Sequence, residues 1–122
     1  MKTRDHKKLA GFWACRLDAY LPHAYALAFF YGNLEPDMNI FTHFHGFTKK
    51  HKLHGHRFVI IYPILLRMLQ RDVGKPLTLL RCYRIGKCCH YTTDIFTFAH
   101  NPEFIGQFSE HNRYEAMLHA YF

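Results

Sequence analysis

Five side chains able to bind a metal ion stand within the twenty-six residues from His90 to Glu115: His90, Asp94, His100, His111 and Glu115. His90 and Asp94 are four residues apart, as are His111 and Glu115. Four residues are about one turn of α-helix, so each pair projects from a single helical face. Two such pairs facing one another would hold more than one ion. Imidazole and carboxylate suit Zn²⁺ without any thiolate, and catalytic zinc sites favour this donor set where closed structural sites favour cysteine. A lone histidine on a helix is ordinarily surface or satisfied core; the ordered spacing of five donors turns the reading toward metal.

The elements that must position these donors are helical throughout. Residues 5–20 carry Leu9, Ala10, Trp13, Leu17 and Tyr20 at three- and four-residue steps, an amphipathic pattern with Lys and Arg on the other face. Pro22 opens a second helix, nearly all apolar over residues 24–31, which Gly32 and Asn33 are expected to end. Residues 34–55 show no sustained period and read as a long ordered loop, usually a functional feature in a small domain. A third helix spans about 56–71, with Pro63 as a kink or a late true start. Gly74, Lys75 and Pro76 break the chain before the longest helix, about 77–97, on which Gly86, His90 and Asp94 form one row. A glycine costs about 1 kcal/mol in a helix interior, so Gly86 implies close backbone approach or room for a ligand. Asn101 and Pro102 stop this helix, and Ser109 with Glu110 start a last one to about Tyr121. The expectation is an all-α, compact helical bundle of about five helices, forming one domain over residues 1–122.

Composition agrees and excludes alternatives. Apolar residues make up 49% of the 122, which is incompatible with intrinsic disorder. Eleven histidines are far more than a chain of this length ordinarily carries. The formal charge of +7 draws phosphates, acidic membrane surfaces or nucleic acid through its long-range field. No secretory signal is visible, because Arg16 and Asp18 interrupt the segment after Lys7 and Lys8; the chain is expected in the cytoplasm, with secretion left open. The longest strongly apolar run, residues 58–66, is too short for a membrane span and contains Pro63. Cys15, Cys82, Cys88 and Cys89 have no CxxC spacing, and reduced, buried thiols are expected.

The run HYTTDIFTFAH, residues 90–100, followed by HNRYE, residues 111–115, resembles the zinc-dependent phospholipase C family, whose bacterial members share an H-x3-D-x5-H segment and a later H-x3-E. The upstream GNLEPD, residues 32–37, is similar to the family segment that ends in a metal-binding aspartate, and the histidine-rich stretch 51–56 extends the likeness over most of the chain. The resemblance implies an all-helical fold with two to three zinc ions in a cleft. It implies that His90 and Asp94 bind one zinc with Asp37 and a loop histidine, for which His56 is the choice and His51 and His54 are alternatives. His100, His111 and Glu115 would form a second zinc site. Asp94 would bridge to a third, for which His6 is the N-terminal candidate. Secreted members use the amino group and carbonyl of an N-terminal tryptophan there, whereas this chain begins Met1-Lys2 and its only tryptophan is Trp13. Met38 follows Asp37 where residues selecting a choline headgroup would be sought, so the headgroup is not transferred. The chain also stops at Phe122, soon after the last motif, where family members are expected to continue with further helices.

The implied chemistry is phosphodiester hydrolysis: zinc lowers the pKa of a water and polarises the phosphoryl oxygen, and Asp37 accepts the proton of the attacking water. A phospholipid or other phosphodiester is then the substrate, with peripheral contact to a membrane surface. Two other readings stand beside it: a zinc-dependent single-strand nuclease, suited by basic and aromatic residues, and a non-catalytic basic module that binds metal, membranes or acidic partners. Taken singly, His6 and His23 read as surface or satisfied core, and the Glu115 and His119 spacing as an ordinary i to i+4 contact outside the site. Phe41, Phe44, Phe47 and Phe58 read as core rather than as the lining of a lipid cleft.

Overall fold

The computed structural model describes residues 1–39, 58–97 and 108–121. Among them run five helices and no strand: α1 Thr3–Asp18, α2 His23–Met38, α3 Phe58–Asp72, α4 Leu79–Ile95 and α5 Phe108–His119. The all-α bundle expected from the periodicity is the observed architecture, and α4 is its longest helix and its centre. It packs on α2 along one side and on α3 along another, while α1 packs on α2. No helix of the described residues is long and apolar enough to cross a membrane.

Local chemistry sets the start of α4. The Thr78 hydroxyl accepts a hydrogen bond from the Arg81 backbone N–H at 3.2 Å, satisfying one of the donors that a helix start leaves open. Just upstream, Gly74 has φ +70°, the left-handed conformation that favours glycine, and turns the chain out of α3. Arg84 on α4 then grips Asp72 at the end of α3 through two bonds of 2.7 Å.

Between α3 and α4 lies a dry apolar core. Ile61, Leu65, Cys88, Tyr91 and Ile95 are buried together, with Phe58, Ile64 and Met68 packed against them. Each fully buried side chain of this kind stabilises the fold by roughly 1.5–3 kcal/mol. Phe58 is therefore a core contributor; Phe41, Phe44 and Phe47 lie outside the described residues.

On the other side of α4 the helices meet through backbone. A Cβ added at Gly86 would fall onto the Phe29 carbonyl oxygen, and one added at Gly32 onto that of Tyr83. The glycines let α2 and α4 approach more closely than any side chain allows, which is the close approach expected of Gly86. The same fact corrects the reading of Gly32 and Asn33 as a helix end. Gly32 serves packing rather than a left-handed cap, Asn33 is fully buried, and α2 continues through Pro36 to Met38. The long loop expected from residue 34 therefore cannot begin before Asn39, and residues 40–57 lie outside the described part.

The buried face of α1 also differs from its apolar pattern. Trp13 and Tyr20 are exposed, whereas Asp5, His6 and Ala10 are buried. Charge is thus buried at the start of α1 for a reason other than hydrophobic packing. The cysteines are all free, as expected, but Cys15 is exposed; only Cys82 and Cys88 are buried, and burial pushes the Cys88 thiol up to about 11.

Candidate metal centre

Four helices send polar side chains to one buried region. His6 comes from the second turn of α1, Asp37 from the end of α2, His90 and Asp94 from one face of α4, and His111 and Glu115 from one face of α5. His6 and His90 are fully buried and Asp94 nearly so. The i to i+4 spacing does in space what it promised in sequence: His90 Nε2 lies 3.2 Å from Asp94 Oδ2, and His111 Nε2 lies 3.2 Å from Glu115 Oε1.

Contacts across the fold complete the cluster. His6 Nε2 is 2.9 Å from Asp94 Oδ1, and the His6 and His90 rings stack with centroids 3.7 Å apart. Asp37 Oδ1 stands 3.5 Å from His90 Nε2. One donor atom from each of His6, His90 and Asp94 lies within 4.8 Å of the others. The Met1 amino group enters as well, 3.0 Å from Asp94 Oδ1 and 2.7 Å from Glu115 Oε1, and so joins the α5 pair to the α4 pair. His56 and His100, with the alternatives His51 and His54, lie outside the described residues.

The electrostatics of this interior suit a cation. Burial pushes the His90 imidazole below its ordinary 6.5 even though the hydrogen bond and charge of Asp94 pull the other way, so the ring is held neutral, the form that ligates metal. At Met1 burial opposes the charge, yet the carboxylates of Asp94 and Glu115 outweigh it and hold the ammonium above its ordinary 8.0. Asp37, Asp94 and Glu115 bring three carboxylates to the cluster beside that ammonium. Carboxylate oxygens gathered next to imidazole nitrogens are donors that a divalent ion takes.

His6 adds a test of fit. Its Nδ1 lies 3.4 Å from the Thr93 hydroxyl, whose own proton goes to the backbone carbonyls of His90 at 2.7 Å and Cys89 at 3.2 Å. The Thr93 oxygen can therefore accept from Nδ1–H. That leaves the Nε2 lone pair of a neutral His6 pointing at a carboxylate, an arrangement that is repulsive until a proton or a metal ion lies between them. Two imidazoles and a carboxylate converging in this way fit zinc.

With this geometry in hand, the whole-chain comparison is decisive: the family model described as zinc-dependent phospholipase C matches residues 6–122. The chain belongs to the zinc-dependent phospholipase C family. No curated protein and no solved structure matches it. His6, His90 and Asp94 thus form a candidate metal-binding group in a member of a zinc-dependent family.

Two participants in this cluster, Thr93 and Asp5, had no signal in the sequence, and the Met1 amine entered only as a departure from the family's N-terminal tryptophan. Thr93 acts through helix geometry, and Asp5 finds its partner 114 residues away, in His119. That contact gives His119 a partner on another helix, beyond its neighbour Glu115. Of the two ordinary readings of His23, surface or satisfied core, the first holds, and it pairs with Asp18 at 2.8 Å.

Proposed function

We propose that the protein is a zinc-dependent phosphodiester hydrolase of the phospholipase C type, cleaving phospholipid at phosphorus. The observation that carries this reading is the convergence of His6, His90 and Asp94 on one buried point, with Asp37 and Glu115 at its edges. In this reading His90, Asp94 and Asp37 would hold one zinc together with a loop histidine, His56 being the choice. His6 would hold a second ion with Asp94. His111 and Glu115, with His100, would hold another.

Zinc, when bound, supplies Lewis acidity toward the phosphoryl oxygen and acidifies water. The chain's own residues do the rest. Asp94 sits between His6 and His90, with one oxygen toward each, and so fixes the distance between neighbouring sites. Thr93 sets the His6 tautomer by accepting a hydrogen bond from its Nδ1–H. Asp37, less deeply buried than Asp94 and on the rim of the cluster, accepts the proton of the attacking water.

Zinc-loaded protein assayed on phosphatidylcholine vesicles, on bis(p-nitrophenyl) phosphate and on single-stranded DNA tests the reading. Release of diacylglycerol and phosphocholine from the vesicles is the expected result. Cleavage of the DNA alone would move the assignment to a nuclease, and no turnover of any of the three would refute hydrolysis. Asp94→Asn should lower turnover by more than about a hundredfold, because losing a shared ligand exceeds the roughly 10–100-fold cost of losing a supporting group.

A further inference from the structure

His111, Glu115 and His119 stand at i, i+4 and i+8 on α5, one row along the helix. The first two belong to the proposed metal centre. The third turns to a different partner: His119 Nδ1 meets Asp5 Oδ1 on α1. Asp5 is fully buried, and its other oxygen, Oδ2, has no hydrogen bond among the described residues. A carboxylate taken out of water needs a compensating donor, and His119 supplies it.

The position of this pair gives it meaning. Asp5 precedes His6, the α1 residue that reaches Asp94, and the Met1 amine four residues before it holds Glu115. The start of α1 therefore grips α5 at two successive turns, at Glu115 through the amine and at His119 through the Asp5 carboxylate. Both grips lie on the row that carries His111. Sliding or rotating α5 by one residue swings that row by about 100° and removes its donors from the site.

We infer that Asp5 and His119 form a positioning pair that seats α5, so that the zinc held by His111 and Glu115 binds at the correct distance from the one held by His90 and Asp94. This rests on the metal-centre reading above. Neither residue of the pair is a ligand in it.

Zinc titration of the full chain, by competition with a chromophoric chelator, resolves the tight ions one by one. Wild type is expected to hold at least two. His119→Ala should weaken one of them 10–100-fold, the range for loss of a group that orients a ligand, and leave the other unchanged. His119→Asn places an amide N–H where Nδ1–H stood and should restore the weakened ion to near wild-type affinity. If His119→Ala loses its helical circular dichroism, the Asp5→Asn/His119→Ala double variant breaks the same bond without stranding a buried charge, and the same split is expected there. Equal weakening of both ions would mark the pair as merely structural and overturn the inference, as would wild-type affinity at both. Fewer than two zinc ions in wild type would instead overturn the metal-centre reading, and this inference with it.

Discussion

The two sides of α4 make different kinds of interior from one helix. Toward α3 it presents Cys88, Tyr91 and Ile95 to an apolar core. Toward α1 and α2 it presents Gly86, in backbone contact, and His90 and Asp94, equally buried but polar. The first side stabilises the fold by removing hydrocarbon from water. The second costs stability, since desolvating charged groups is only partly offset by their mutual attraction. Such an interior fits the zinc site proposed above, and the apolar side makes its presence tolerable.

Substitutions on the two sides should therefore fail differently. Ile61→Ala opens a cavity in the α3–α4 core and should lower stability by roughly 2–5 kcal/mol, read from the urea midpoint of metal-free protein. Its zinc-dependent stabilisation should be intact. In wild type, free zinc at a hundred times its dissociation constant adds about 2.7 kcal/mol to stability. His90→Leu should remove the share of that increment due to the ion assigned to His90 and Asp94 while leaving the metal-free protein folded, because the imidazole it replaces is already held neutral by burial. Equal loss of the zinc increment in both variants would mean that the two interiors are not separable.

The difference between the two sides also decides what the sequence could reveal. Hydrophobic periodicity located all five helices of the described residues, closely at every end but that of α2, because most of their packing is apolar and periodic. It failed where packing is not hydrophobic. At Gly32 a glycine that allows backbone contact looks the same as one that ends a helix. On α1 the buried face holds Asp5 and His6, so the apolar pattern pointed toward Trp13 and Tyr20, which are exposed. The donor pairs on α4 and α5 were legible because i to i+4 spacing alone puts both members on one face. His6 and Asp37 entered only through family resemblance. The contact between Asp5 and His119 was not legible at all, since it depends on how distant helices dock.

Acid should distinguish the sides next. The folded-state pKa of His90 lies below its unfolded value of 6.5, so between the two the unfolded chain binds more protons than the folded one. Stability contributed by the neutral ring is present above pH 6.5 and is lost as pH falls through the folded-state value. For this one proton the slope is at most about 1.4 kcal/mol per pH unit. Metal-free Ile61→Ala should keep the slope from pH 6.5 downward with a lower overall stability. His90→Leu should flatten it. Urea midpoints across that range measure both, and a slope unchanged in His90→Leu would assign the acid sensitivity elsewhere.

The smallest expected effect tests whether the sides share anything beyond the helix itself. Thr78→Ala removes the hydroxyl that caps α4 and should cost about 1 kcal/mol. Thr78 precedes His90 by twelve residues, about 18 Å along the axis, so fraying of the first turn stops well short of the donors. Between them, at Gly86, the close backbone contact with α2 clamps the helix. Zinc affinity should therefore stay at the wild-type value while the urea midpoint of metal-free protein drops. A parallel fall in zinc affinity would show that the start of α4 moves with its metal-binding end, and that the two interiors are coupled along the helix rather than divided by it.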